Sequence, residues 1–426
     1  MRVEEFYHKF KHHLKISTDS RRIEKGDIFI ALKGENFNGN AYAQKAIEQG
    51  AAAAVVDEKN DTQDAENIYL VEDSLKFFQD LAHLHRKELG IKIISLTGSN
   101  GKTTTKELIA HALGAKYKVA YTQGNLNNHI GVPLTLLSLN TSHDLAVVEM
   151  GANHPNEIAQ LCQIAVPDYG YITNFGKAHL EGFGSEEGVM RAKSELYDFL
   201  RHHQGTAFIN KDDAKQVQQA AAMPSISFAF ENDADYTYRR ILKEGKAGVE
   251  AKGIAIQSHL VGNYNQSNIA AAATIAQHFG VGLTEIKAAI EAYQPTINRS
   301  QTIEQNGKRI IMDAYNANPS SMEVALKHFS YYDGTKAVVL GDMFELGEYA
   351  AAEHQKLAQL AQELNFDEVY LIGANFKANI KPHSKINTFD SKEEFLVFIE
   401  ENPVQAQSIL VKGSRGMQLE RILPAL

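Results

Sequence analysis

Short apolar runs recur along the chain, each ending in a polar or glycine-rich turn and followed by residues whose apolar positions fall at helical spacing. In residues 1–88 the runs 27–32 and Ala53–Val56 predict strands and 42–49 a helix. From 89 to 297 the rhythm is strand, turn, helix, with strands predicted at 91–97, 144–150 and 169–173 and a helix at 104–113. After Arg299 three more buried strands are predicted at 337–340, 368–372 and 408–411, again separated by helix-like runs. Strands alternating with helices imply parallel sheets. The fold class expected is α/β in three domains. These are a small α/β unit at 1–88, a central parallel-sheet domain at 89–297 and a doubly wound, Rossmann-like domain at 298–426.

Length agrees with this division, since 426 residues correspond to nearly three domains at about 150 residues each. Charge then removes one class of partner. With 43 basic and 52 acidic residues the net charge is −9, which argues against a nucleic acid gripped by its phosphates. The lone cysteine, Cys162, excludes an internal disulfide framework and fits a reducing compartment, with a buried, inert thiol as its expected state. The N-terminus has no apolar segment of signal-peptide length, and no apolar run is long enough to cross a bilayer. A cytoplasmic monomer without membrane insertion is expected.

The turn after the strand at 91–97 carries the clearest chemistry. It reads T-G-S-N-G-K-T-T at 97–104, the core of a P-loop that cradles a nucleoside triphosphate. Gly98 and Gly101 let backbone N–H groups close around phosphate oxygens, with Ser99 and Asn100 between them. Lys102 supplies a charge, the Thr103 hydroxyl can reach Mg²⁺, and Thr104 opens a helix whose positive end faces the phosphates. The longer P-loop pattern wants a further glycine where this chain has Leu96. Two later strand ends bring further candidates: Glu149 after the apolar run at 144–150, and His179 at the close of T-N-F-G-K-A-H, 173–179. In open α/β sheets ligands collect at the carboxyl ends of strands, so Thr103, Glu149 and His179 are expected to share one site.

Together with A-K-S-E at 192–195, these motifs resemble the Mur ligase family of ATP-dependent amide-bond ligases. Four further runs resemble the branch that joins D-alanyl-D-alanine to a UDP-N-acetylmuramoyl tripeptide. They are T-Q-G-N-L-N-N-H-I-G-V-P at 122–133, D-A-Y-N-A-N-P-S-S-M at 313–322, L-G-D-M-F-E-L-G at 340–347 and V-K-G-S-R at 411–415. The resemblance spans 19–415. It implies that the turn Asp19, Ser20, Arg21 and the loop G-E-N-F-N-G-N at 34–40, which alone read as ordinary loops, contact the nucleotide sugar. The loop departs from the family at Asn38 and Asn40, which replace an acid and a histidine. In G-N-Y-N-Q-S-N at 262–268, Tyr264 replaces a histidine while Asn265 and Asn268 keep the pattern.

By the same resemblance ATP and two Mg²⁺ ions are the expected cofactors. Thr103 and Glu149 would hold the first ion, and Glu149 and His179 would help place the second. Lys193 would be carbamylated into an oxygen ligand, making Lys102, Glu149, His179 and Lys193 the catalytic set. Arg299 is expected at the ATP phosphates, Asp313 near the ribose, Asn265 and Asn268 near the adenine, and Ser20, Arg21, Asn127, Asn316 and Asn318 on the substrates. The implied reaction activates the tripeptide carboxylate as an acyl phosphate, in a site completed when the domains close. Two other readings remain at this point: a sister ligase adding a single amino acid, and a non-catalytic nucleotide-binding module. The D-N-P-R motif of one such sister is absent.

Overall fold

The computed structural model describes residues 1–58, 67–295, 299–381 and 385–426. Its first unit is a four-stranded parallel sheet in the order Ile16–Ser17, Ile28–Ile30, Ala53–Val56, Ile68–Leu70. The two central strands are buried throughout, which is why they read as unbroken apolar runs rather than alternating ones. The helix Ser74–Leu89 leads out of this unit. Asp73 caps its start by accepting from Lys76 N, and Gly90 at φ +62° ends it. Phe77, Phe78 and Leu81 on its inner face join the large core that runs into the central sheet.

That central sheet has seven strands, all paired in parallel. Their order is Tyr236–Thr237, Ser225–Ala229, Thr206–Asn210, Tyr169–Ile172, Lys92–Thr97, Leu145–Glu149 and Val119–Tyr121. The P-loop strand Lys92–Thr97 therefore lies between the two strands that deliver Glu149 and the segment leading to His179, as expected. Leu96 pairs with Glu149 and Thr97 with Ile172, so the three strand ends stand level. The helix Lys102–Gly114 begins two positions earlier than the sequence pattern suggested, because Gly101 at φ +77° turns the chain directly into it. The helix Asn265–His278 packs against it. Its fully buried Ala270, Ala271, Ala272 and Ala273 contribute to the same core as Leu108 and Ile109.

An unexpected three-stranded antiparallel sheet, Arg239–Lys243, Lys246–Ala251 and Ile254–Val261, extends the middle unit. The C-terminal sheet has six strands in the order Gln301–Gln305, Lys308–Asp313, Ser408–Lys412, Lys336–Gly341, Glu368–Ile372 and Ile386–Phe389. All pairs are parallel except the edge strand Gln301–Gln305, which forms a hairpin with Lys308–Asp313. All three strands expected here are present. The boundary expected at 297 falls on residues 296–298, outside those described. Among the described residues no helix is long and apolar enough to cross a membrane.

Candidate active site

A cavity of about 950 Å³ opens where the carboxyl ends of the central strands meet the C-terminal unit. The P-loop forms its floor, and residues after the neighbouring strand brace that loop. Ser99 Oγ donates to Gly176 O at 2.8 Å, and Gly176 N donates back at 2.9 Å. Asn100 N donates to Asn174 Oδ1 at 3.1 Å, and Asn100 O accepts from Thr173 Oγ1 at 2.6 Å. Lys102 Nζ folds back onto Gly98 O at 2.7 Å. Burial in the cleft lowers the Lys102 pKa, opposed by the charge of Glu149. Gly98 has φ +142°, and a Cβ there would stand 2.0 Å from Thr173 Oγ1. Gly98→Ala is therefore expected to cost about 1–3 kcal/mol through clash and backbone strain and to lose nucleotide binding, as thermal denaturation and ATP titration would show.

Glu149 is the centre of a buried polar group. Its Oε1 accepts from Asn127 Nδ2 at 2.8 Å and Thr103 Oγ1 at 3.2 Å. Its Oε2 is buried without a hydrogen-bond partner. Lys106, one helical turn beyond Lys102, is fully buried, and its Nζ is equally unpartnered, 4.0 Å from that oxygen. Burial pushes the Lys106 pKa down, against the pull of Glu149 and Glu107. An orphaned carboxylate oxygen beside a threonine hydroxyl at a P-loop suits a hard cation with oxygen ligands. Among the described residues there is no group of three or more His, Cys, Asp or Glu side chains able to hold a metal alone. That composition fits Mg²⁺, which keeps several waters and binds through one or two carboxylates plus substrate phosphates.

Lys193 and His179 flank Phe183. Lys193 Nζ lies 5.0 Å from the Phe183 ring centre, and the His179 ring lies 6.4 Å from it. His179 lines the cavity, whereas Lys193 sits fully buried behind its wall, donating to the carbonyl of the lining residue Ala152 at 3.0 Å. Burial, with the nearby charge of Lys102, holds the Lys193 pKa well below its ordinary range. His179 Nδ1 bonds Glu345 from the C-terminal unit, and this bond holds the Glu345 carboxyl below its usual range.

The C-terminal unit supplies the cavity's other wall. The Arg299 guanidinium stacks 3.5 Å over the Tyr315 ring. Asp313 takes Ser300 N at 3.0 Å on one oxygen and pairs with Lys412 through the other. Lys412 also reaches toward Asn316 O, at 3.4 Å. Asn318 caps the helix Pro319–Ser330 by accepting from Ser321 N, and its Nδ2 donates to Asn100 Oδ1 at 2.8 Å, tying this helix to the P-loop. Asn268 packs against Gly101 and donates to Asn265 Oδ1 at 2.8 Å. Tyr264, left without a role by the sequence, bonds Ser300 Oγ at 3.0 Å and so links the middle unit to the strand carrying Asp313.

Ser20 and Arg21 stand apart, on the first unit and outside the cavity lining. Ser20 is buried, while Arg21 is exposed and grips Asp19 with a two-pronged contact at 2.8 Å for each oxygen. The two asparagines that depart from the family pattern act as structural ties. Asn38 Nδ2 reaches Glu58 at 2.7 Å, and Asn40 Nδ2 reaches Asp57 at 2.8 Å. Sequence reasoning missed Lys106, Glu345, Tyr315 and Lys412 as site residues. Their signals were present: Lys106 repeats Lys102 at helical spacing, and the other three lie within quoted motifs.

Residues 14–95 match the Mur ligase family catalytic domain, 96–276 the Mur ligase middle domain and 298–415 the Mur ligase glutamate ligase domain. The chain is 34% identical over 425 residues to the UDP-N-acetylmuramoyl-tripeptide--D-alanyl-D-alanine ligase of Bacillus subtilis, covering 96% of this chain and 92% of that one. It is 35% identical to the protein of that name from Haemophilus influenzae, covering 97% and 93%. Among solved structures, MurF from Acinetobacter baumannii superposes with a TM-score of 0.88 at 34% identity, covering 96% of this chain and 92% of that one. MurF from Thermotoga maritima in complex with ADP superposes with a TM-score of 0.85 at 28% identity, covering 97% of each chain.

Proposed function

The chain belongs to the Mur ligase family, and from that premise we infer that it is an ATP-dependent ligase joining D-alanyl-D-alanine to UDP-N-acetylmuramoyl tripeptide in peptidoglycan precursor synthesis. The observation that carries this reading is that the P-loop, Glu149 and the D-A-Y-N-A-N-P segment line one shared cavity, held together by Asn318 on Asn100. The division proposed is three domains at 1–88, 89–297 and 298–426, supported by the separate sheets each range contains.

A carboxylate is a poor electrophile, so ATP converts it. The terminal carboxylate of the tripeptide attacks the γ-phosphorus, the bond to the β-phosphate oxygen breaks and ADP leaves. The amine of D-alanyl-D-alanine then adds to the acyl carbon, phosphate departs and a proton is lost to solvent. Two anions must meet in the first step, and positive charge fixed in advance lowers that barrier. Lys102 and Arg299 supply it from opposite walls. Thr103, Glu149 and His179, with a carbamylated Lys193, would hold Mg²⁺, which when bound would supply positive charge against the phosphates and the acceptor carboxylate. Asn265 and Asn268 serve the adenine side, Asp313 the ribose, Asn127, Asn316 and Asn318 the reacting ends, and Ser20 and Arg21 the uridine end. Walls drawn from two units exclude water from the acyl phosphate. The reading includes action as a monomer in the cytoplasm, the compartment that would hold ATP and a UDP-linked precursor.

Purified protein with ATP, Mg²⁺ and UDP-N-acetylmuramoyl tripeptide should release phosphate and form pentapeptide with D-alanyl-D-alanine, and far less product with any single amino acid. Preference for a single amino acid would transfer the chain to a sister ligase. Nucleotide binding without turnover would contradict the enzyme reading.

A further inference from the structure

His179 and Glu345 lie 166 positions apart in sequence, on different units, yet their side chains meet. Both residues sit in the left-handed region without being glycine, His179 at φ +53° and Glu345 at φ +60°. Such backbone is uncommon for residues with a Cβ, and it clusters where function requires it. The segments around the pair are closed on each other. Glu181 N donates to Glu345 O at 3.1 Å, and Tyr349 Oη donates to Gly184 O at 3.0 Å. A Cβ on Gly347 would stand 3.3 Å from Glu181, so the backbones approach closely.

The contact uses Nδ1 of His179. The Glu345 carboxylate accepts from Nδ1, which leaves Nε2, with no hydrogen-bond partner among the described residues, as the nitrogen turned to the cavity side of the pair. A histidine whose far nitrogen donates to a carboxylate is oriented and made more basic toward a metal. We propose that Glu345 is a positioning residue for His179: docking of the C-terminal unit brings its carboxylate to Nδ1 and presents Nε2 to the cavity, so the second cation site is complete only in the docked state. This rests on reading His179 as a ligand of the second ion. It adds that the ligand is switched on by the opposite unit, which ties metal loading to domain docking.

The test uses full-length protein with Mn²⁺ in place of Mg²⁺ and a non-hydrolysable ATP analogue. Bound Mn²⁺ is counted by electron paramagnetic resonance, and compactness is measured by small-angle scattering. Glu345→Gln should weaken the second Mn²⁺ by about ten-fold or more, leaving the first ion and the compact profile unchanged. Tyr349→Phe, which removes a docking contact without touching His179, should keep both ions. Glu345→Asp should recover part of the loss if a carboxylate at Nδ1 is what matters. Unchanged Mn²⁺ binding in Glu345→Gln would overturn the proposal, as would an expanded profile in Tyr349→Phe with both ions still bound. His179→Ala separates the two claims. If it still binds both ions, the reading of His179 as a ligand fails. If it loses one while Glu345→Gln does not, only the positioning role fails.

Discussion

Lys102→Met is expected to lower kcat by about 10²–10³, the effect of deleting one preorganised charge at a reacting centre, or roughly 3–4 kcal/mol of transition-state stabilisation. The side chain already rests in the cleft with its ammonium on Gly98 O, 2.7 Å away. Burial works against its charge while Glu149 supports it. Arriving phosphates therefore meet a cation that has already lost much of its water, and little reorganisation remains for the reaction itself. Methionine keeps the apolar stem but removes the charge, so the fold and the packing of the helix Lys102–Gly114 should persist. Steady-state kinetics with circular dichroism as a control would check this. A variant retaining full kcat would mean that the phosphates are held elsewhere.

Lys193→Ala should produce a loss of similar size, for a different reason. A lysine fully buried behind the cavity wall is an electrostatic liability as an ammonium, and its lowered pKa, due first to burial and then to Lys102, marks that cost. The same shift makes the neutral amine more available at physiological pH. A neutral amine can attack CO₂, forming an N–C bond and releasing a proton, which leaves a carbamate with two oxygens and a negative charge. In that form charge repulsion with Lys102 would become attraction, and the side chain would gain metal-ligating atoms. Protein exchanged into ¹³C-bicarbonate should show one carbamate carbon by NMR that is absent from Lys193→Ala, and removal of CO₂ should reduce wild-type activity reversibly. Lys193→Ala with undiminished kcat would end the carbamate account.

How much of this was legible depended on burial. Ala53–Val56 and Glu368–Ile372 occupy the residues their apolar runs predicted, because strands covered on both faces leave unbroken apolar sequence. Of the sheet at 239–261, the first strand, Arg239–Lys243, went unseen because it is almost wholly exposed and shows neither alternation nor a long apolar run. The edge strand Gln301–Gln305 hid for a similar reason. In the site, Thr103, Glu149 and His179 were readable because the fold gathers strand ends. Their partners were not. Glu345 lies in a run that resemblance had marked, but only three-dimensional proximity pairs it with His179. That Lys106 Nζ and Glu149 Oε2 lie buried within ion-pair distance yet without a hydrogen bond is a property of packing that no spacing encodes.

If ATP activates the tripeptide carboxylate for capture by D-alanyl-D-alanine, one oxygen of that carboxylate must end in the released phosphate. The most direct measurement gives the enzyme UDP-N-acetylmuramoyl tripeptide carrying ¹⁸O in that carboxylate, with ATP, Mg²⁺ and D-alanyl-D-alanine, and reads product and phosphate by mass spectrometry. Pentapeptide formed together with phosphate that has gained one ¹⁸O is the predicted result. Unlabelled phosphate accompanying pentapeptide would contradict acyl-phosphate activation, and no pentapeptide at all would contradict the ligase.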